Sequence, residues 1–308
     1  MTDIIMHNRL DMKPIIEDSR FAARRIVSLS IGNDENVYAL FADAQGRPGG
    51  VRYGAMVLQL EWQTGELLSC HPVEFDVVDS NIHFIQPIHG NYLLVCARSR
   101  YIDRMTFDKN AMIFGENGQL LRQFCLGDGI EQCMVNHRNQ IITGYFDEGI
   151  FGNYGWTDPI GKHGLAVWSD DGHKVWENGK YPIHDSYAVN LGDKDDLWFY
   201  YYSDYKLVKT DLKSYSAYQP NVSDVYNFMF NRAFTSVLFF YRKPEAHGNA
   251  WVERCCCMRF QGEELTGRQE CRLTDDCGRE IKPVFMAVRK SKAVFWDRSN
   301  MLYNLDWV

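Results

Sequence analysis

Short apolar runs, rich in Val, Ile, Leu, Tyr, Phe and Trp and bounded by polar turn residues, recur along the whole chain. Runs of this length and composition predict β-strands rather than helices. They come in pairs. One kind of pair stands at 26–41 (IVSLSIGNDENVYALF), 82–96, 132–146, 186–200, 226–241 and 283–296. Each is two apolar strands around a turn of Asn, Asp, Gly or Lys. A second kind follows at 55–68 (AMVLQLEWQTGELL), 111–121, 165–176, 207–218 and, less regularly, 251–265. The first three of these turn through a Gly, the residue that reaches positive φ without cost, and so read as hairpins. At 207–218 the turn is Leu-Lys-Ser instead.

Two hairpins make a four-stranded sheet, and such sheets repeat every 40 to 50 residues, the mark of a β-propeller. One sheet has no means of burying both faces alone, whereas blade packed on blade does so. The pattern predicts an all-β chain, 1–308 as a single six-bladed propeller of four-stranded antiparallel blades. Six hairpins of the first kind need six of the second, and only five are present. The tail 301–308 (MLYNLDWV) matches the opening strand of the missing one. It is therefore expected to close the ring by pairing with the blade of 26–41, helped by residues 3–17, which would cover two open sheet edges.

An acidic residue recurs before the first hairpins, as Asp18, Asp79, Asp128, Asp185 and Asp224. A second acidic position follows them, at Asp43, Asp147, Asp204 and Asp297. Both should face one rim of the disk. In blade architecture only, the chain resembles the six-bladed propellers of the NHL and gluconolactonase-like kind. The Gly-His and Trp-Asp pairs of WD40 blades do not recur from blade to blade. The gluconolactonase-like resemblance implies a divalent cation held by Glu, Asn and Asp, for which Glu17, Asn81, Asp128 and Asp185 are on offer.

Composition narrows the function classes. The net charge is −7, and no basic stripe is visible, which argues against nucleic acid and for a protein partner with a basic surface. No apolar run is long enough to span a bilayer, and residues 1–13 lack the basic and apolar stretches of a signal peptide. Nine cysteines, an odd number at irregular spacing and mostly inside apolar strands, read as free thiols of a reducing compartment. A cytoplasmic location follows as the expectation.

The candidate chemistry is sparse. Asp18, Asp79, Asp128, Asp185 and Asp224 either form a ring of carboxylates at the channel mouth or cap the turns that precede the strands. The longest irregular stretch, 147–164, carries Asp147, Glu148, Phe151, Tyr154, Trp156, Asp158, Lys162 and His163. It either binds a partner through its aromatic rings or folds back as a plug. Other rim loops lie at 46–54, 98–109 and 242–249, and Arg98, Arg100 and Arg104 in the second of these suit an acidic patch on a partner. Cys255, Cys256 and Cys257, with Cys271 and Cys277, lack the knuckle spacing of zinc ligands, because consecutive strand residues face opposite ways. His184-Asp185 reads as a turn. No nucleophile elbow and no phosphate-binding loop is present. The leading expectation is a non-enzymatic protein-binding propeller without cofactor, by analogy a bacterial immunity protein that blocks a toxin. The alternatives are a metal-dependent lactonase or esterase and a sugar-binding lectin.

Overall fold

The computed structural model describes residues 2–6, 8–21, 24–43, 53–75, 82–244 and 251–308. The expected fold class is borne out: the chain builds six small four-stranded antiparallel blades and is a six-bladed β-propeller. It divides into two compact units, Leu10–Tyr181 and Pro182–Val308 with Met1–Arg9, each holding three blades.

In the first unit, blade 1 is Arg24–Ile31, Val37–Asp43, Tyr53–Leu60 and Leu67–Phe75. Blade 2 is Ile82–Ile88, Asn91–Cys96, Ala111–Phe114 and Leu120–Phe124. Blade 3 is Ile130–Val135, Ile141–Tyr145, Leu165–Trp168 and Lys174–Glu177. The second strands bury nearly every residue, as in Val37–Asp43 and Asn91–Cys96, while the fourth strand Leu120–Phe124 is largely exposed. Strands buried on both faces explain the continuous apolar runs that replace simple alternation. Residues of blades 1 and 2 share one core, in which Leu40, Val57, Ile85, Leu94 and Phe114 are fully enclosed.

The second unit repeats the plan. Blade 4 is Asp185–Leu191, Leu197–Tyr202, Leu207–Thr210 and Tyr215–Tyr218. Blade 5 is Val225–Phe230, Ser236–Pro244, Trp251–Gln261 and Glu264–Asp275. Thr2–Met6 is added to blade 5 as a fifth, parallel strand, Thr2 opposite Cys271 and Met6 opposite Asp275. Blades 4 and 5 bury Tyr200, Phe228, Phe230 and Phe239 together, and blades 5 and 6 bury Phe240, Phe295 and Met6. The fully buried Asn190 of blade 4 ties the three blades across their strand ends. Its amide donates to the Phe228 carbonyl at 2.9 Å, and its side-chain oxygen accepts the Lys290 N–H at 2.7 Å.

Blade 6 corrects the expected closure. The tail strand Met301–Asp306 pairs antiparallel with its neighbour Lys292–Asp297, not with blade 1. The reason is local. The Asp297 carboxylate accepts the N–H groups of Ser299 at 2.8 Å and Met301 at 2.9 Å, which folds the connection into a tight turn. The blade, begun by Pro283–Arg289, takes Asn8–Asp11 as its fourth strand, outside the tail. The strand that completes this blade thus comes from the other end of the chain.

All six blades carry one irregularity that the sequence pattern did not announce. The register of the first hairpin slips near the start of its first strand, at Ile26/Ser28, Ile82/Phe84, Ile130/Gln132, Asp185/Ala188, Val225/Asn227 and Pro283/Phe285. A bulge there strengthens the local twist, which a blade packed between blades requires.

The parallel strand supplies a test. Met6 is 2% exposed within the blade 5 and 6 core, and Ile5 beside it is 45% exposed. Met6→Ala is expected to cost about 2–4 kcal/mol by leaving a cavity, and Ile5→Ala within about 0.5 kcal/mol. Chemical denaturation of the two variants checks it; equal effects would refute the strand's register.

Candidate functional site

Two insertions in the first unit build an exposed aromatic edge. In blade 2, the chain between the second and third strands forms a small hairpin, Tyr101–Asp103 paired with Thr106–Phe107. In blade 3, the corresponding connection is 147–164, which opens with the short helix Asp147–Phe151 and then turns tightly. The two are bound side by side. The Tyr101 N–H donates to the Tyr154 carbonyl at 2.8 Å, and the Trp156 indole N–H donates to the Ser99 carbonyl at 2.7 Å. The rings of Tyr101 and Trp156 lie 4.7 Å apart. Gly155 makes the approach feasible: at φ 90° it lies so close to Tyr101 that a Cβ would sit 2.1 Å from that carbonyl oxygen.

Arg98 is the electrostatic centre. Its Nε and Nη2 donate to the Asp128 carboxylate at 2.9 and 3.0 Å, and Nη1 lies 2.6 Å from Glu148. Its guanidinium stands 4.1 Å from the Tyr154 ring centre and 5.4 Å from that of Phe146. The Asp128 side chain is fully buried and also accepts the Ser99 N–H at 2.8 Å. A planar fork with five donors suits this two-carboxylate, two-ring environment in a way that a lysine would not.

On this support five apolar side chains stand in solvent: Ile102, Met105 and Phe107 from the hairpin, Phe151 and Tyr154 from the loop. Met105 is 91% exposed. Trp156, predicted as a contact residue, is buried, so it carries the surface from beneath. Asp147 caps the following amide, Glu148 belongs to the Arg98 group, and Asp158 pairs with Lys162 at 2.9 Å. That pairing holds the exposed Asp158 carboxyl below its ordinary range. His163 lies 3.3 Å from Glu177. Arg104 is exposed, and the Arg100 backbone is fastened to Asp108. Loops 46–54 and 242–249 fall largely outside the described residues.

Of the acidic residues expected at a channel mouth, Asp18, Asp128, Asp185 and Asp224 have described surroundings. Asp18 pairs with Arg20, and Asp128 is held by Arg98. Asp185 and Asp224, in the second unit, both act electrostatically on Tyr187, whose phenol is pushed up to about 12, chiefly by burial. Asp79 and Asn81 lie outside the described residues. Of the other residues offered to a cation, Glu17 is exposed at the end of the short helix Lys13–Ile16. The Asp128 oxygens already accept three donors, which leaves them poorly placed to ligate a metal. The cysteines alternate as strand geometry demands: Cys256 enters the core of blades 4 and 5, while Cys255 and Cys271 enter that of blades 5 and 6. All nine are free. Exposed Cys277 lies close to Asp275 and Asp276, but Asp275 already accepts from Arg279 at 2.8 Å and from turn amides. No described helix is long and apolar enough to cross a membrane.

No protein-family model matches the chain, and no characterised protein matches it in sequence. Solved structures do. The chain is similar to Kuenenia stuttgartiensis hydrazine synthase at 10% identity and a TM-score of 0.52, over 88% of this chain and 76% of that one. It is also similar to virginiamycin B lyase from Staphylococcus aureus, with 10% identity and a TM-score of 0.49 over 98% and 99% of the two chains. A third similarity is to YCF48 bound to D1 peptide, with 12% identity and a TM-score of 0.49 over 92% and 77%. At such identities the likeness is one of fold.

Two measurements test this description. Arg98→Ala strands the buried Asp128 charge and is expected to cost about 3–5 kcal/mol, whereas Lys162→Ala, at an exposed and solvent-screened pair, is expected to leave the stability nearly unchanged. Urea denaturation compares them. Burial pushes the thiols of Cys133 and Cys256 up to about 12 and raises that of Cys271 as well, so at pH 8 all three stay protonated. Iodoacetamide followed by peptide mapping is expected to label Cys277 in the native protein and these three only after unfolding.

Proposed function

We propose that the chain is a non-enzymatic protein-binding propeller whose docking surface is the edge formed by Ile102, Met105, Phe107, Phe151 and Tyr154. The observation that carries this reading is the exposure of five large apolar side chains on a support that is itself tightly bonded. Aromatic and Met side chains dominate binding energy when a partner buries them. Holding them on a rigid loop reduces the ordering cost of association. The net charge of −7 supports a partner with a basic surface, drawn in by long-range attraction. A toxin blocked by a cytoplasmic immunity protein is the specific form of this reading.

Met105→Asp with Phe151→Asp places two charges where a partner would bury apolar surface. The double variant is expected to lose partner affinity by about a hundredfold, with an unchanged melting temperature. Affinity capture from the native lysate, using the unaltered protein and the double variant in parallel, reads the outcome. A stoichiometric partner retained by both, or by neither, counts against the proposed edge.

A further inference from the structure

The second unit contains a pocket of about 540 Å³ between the later strands of blade 5 and the beginning of blade 6. That volume falls within the range of roughly 300–1,000 Å³ typical of small-molecule sites. Its floor is soft and apolar, formed by Phe240, Cys255, Cys271 and Met286. Thiols and thioethers are polarisable and pack well on aromatic rings. Tyr226 and Trp251 line it as well, and Trp251 is 59% exposed. An indole left this open on a pocket wall offers a face for stacking.

The charged residues of the lining divide by face. Strand alternation brings Trp251, Glu253 and Cys255 to the pocket and turns Arg254 to the other face with Cys256; Arg272 likewise turns away from Cys271 and bonds Asp3 at 3.0 and 3.1 Å. Glu280 bridges to Thr274 and acts electrostatically on Arg272. Of the charges left at the mouth, Glu253 leans toward Arg242 at 3.9 Å, whereas Lys282 and Arg298 are exposed and form no ion pair among the described residues. A chain carrying −7 overall thus places two such cations beside one apolar pocket.

We propose that this pocket binds a small organic anion with an aromatic body, such as an aryl carboxylate, sulfonate or phosphate monoester. The ring rests on the thiol and thioether floor beside Trp251, and the acidic head meets Lys282 and Arg298 at the rim. Charge-assisted bonds of this kind give orientation, and the apolar floor gives affinity. The floor thiols stay protonated at neutral pH because burial raises them, so association is non-covalent.

The test uses the whole chain and two fluorescent probes of similar shape, anionic 1-anilinonaphthalene-8-sulfonate and neutral N-phenyl-1-naphthylamine. The sulfonate is expected to saturate one site and to bind about tenfold tighter than the neutral probe. Lys282→Glu with Arg298→Glu, both exposed positions, should lower sulfonate affinity by about tenfold, and Trp251→Ala should weaken both probes. Met105→Asp with Phe151→Asp should change neither, which separates this pocket from the proposed docking edge. For the unaltered protein, raising salt from about 50 mM to about 500 mM should weaken the sulfonate several-fold and leave the neutral probe unaffected. Equal affinity for the two probes, sulfonate binding indifferent to both charge reversal and salt, or loss of binding in the Met105 and Phe151 variant would each overturn the proposal.

Discussion

Burial between neighbouring blades is the interaction on which the rest depends. A sheet of four short strands has two faces and too little area to satisfy either from within itself. In this chain the second strands are closed off on both sides, and the residues that enclose them come from the adjacent blade: Leu40 and Val57 with Leu94 and Phe114, Tyr200 with Phe239, Phe240 with Phe295. At roughly 25 cal/mol per Å² of apolar area, such layers supply the bulk of the stabilisation. Hydrogen bonds at the strand ends, Asn190 above all, add alignment more than energy. The buried amide must find its partners on blades 5 and 6, and that requirement fixes how those blades sit against blade 4.

The insertions that carry the candidate docking edge are possible because of this division of labour. The blades need only their strands. Connections between second and third strands are free to vary, as in 98–109 and 147–164, so long as their own polar groups are paired. Arg98 meets that condition by neutralising Asp128 and Glu148 at once and stacking on Tyr154. The pocket in the second unit lies between the later strands of blade 5 and the start of blade 6, with exposed Lys282 and Arg298 at its rim.

Much of this was legible in the sequence. Paired apolar runs with Asn, Asp and Gly turns located every first hairpin, because turn chemistry and strand burial act over a few residues. What escaped were the features decided over long distances. Residues 3–17 had a part in the expected closure, and Asn8–Asp11 does lie beside Met301–Asp306, but this mostly polar four-residue strand has no periodicity to set its bounds or to name blade 6 as its sheet. The tail was misassigned for the same reason, although Asp297 and its turn lay in plain view. The Arg98–Asp128 pair joins residues on different blades, and Asp128 alone looks like any turn aspartate. Trp156 read as exposed because aromatic residues on a Gly-rich loop carry no mark of burial. Its cover comes from Ser99, Tyr101 and Phe107 on the neighbouring blade.

The strand Asn8–Asp11 has a consequence for how blade 6 assembles. Its partner, Met301–Asp306, is separated from it in sequence by the other five blades. Contacts of such long sequence separation cost loop-closure entropy before they contribute and slow folding. Until Asn8–Asp11 docks, Met301–Asp306 presents an open edge, a template for the same segment of a second copy. Exchange of this strand between molecules is the misassembly that this topology invites.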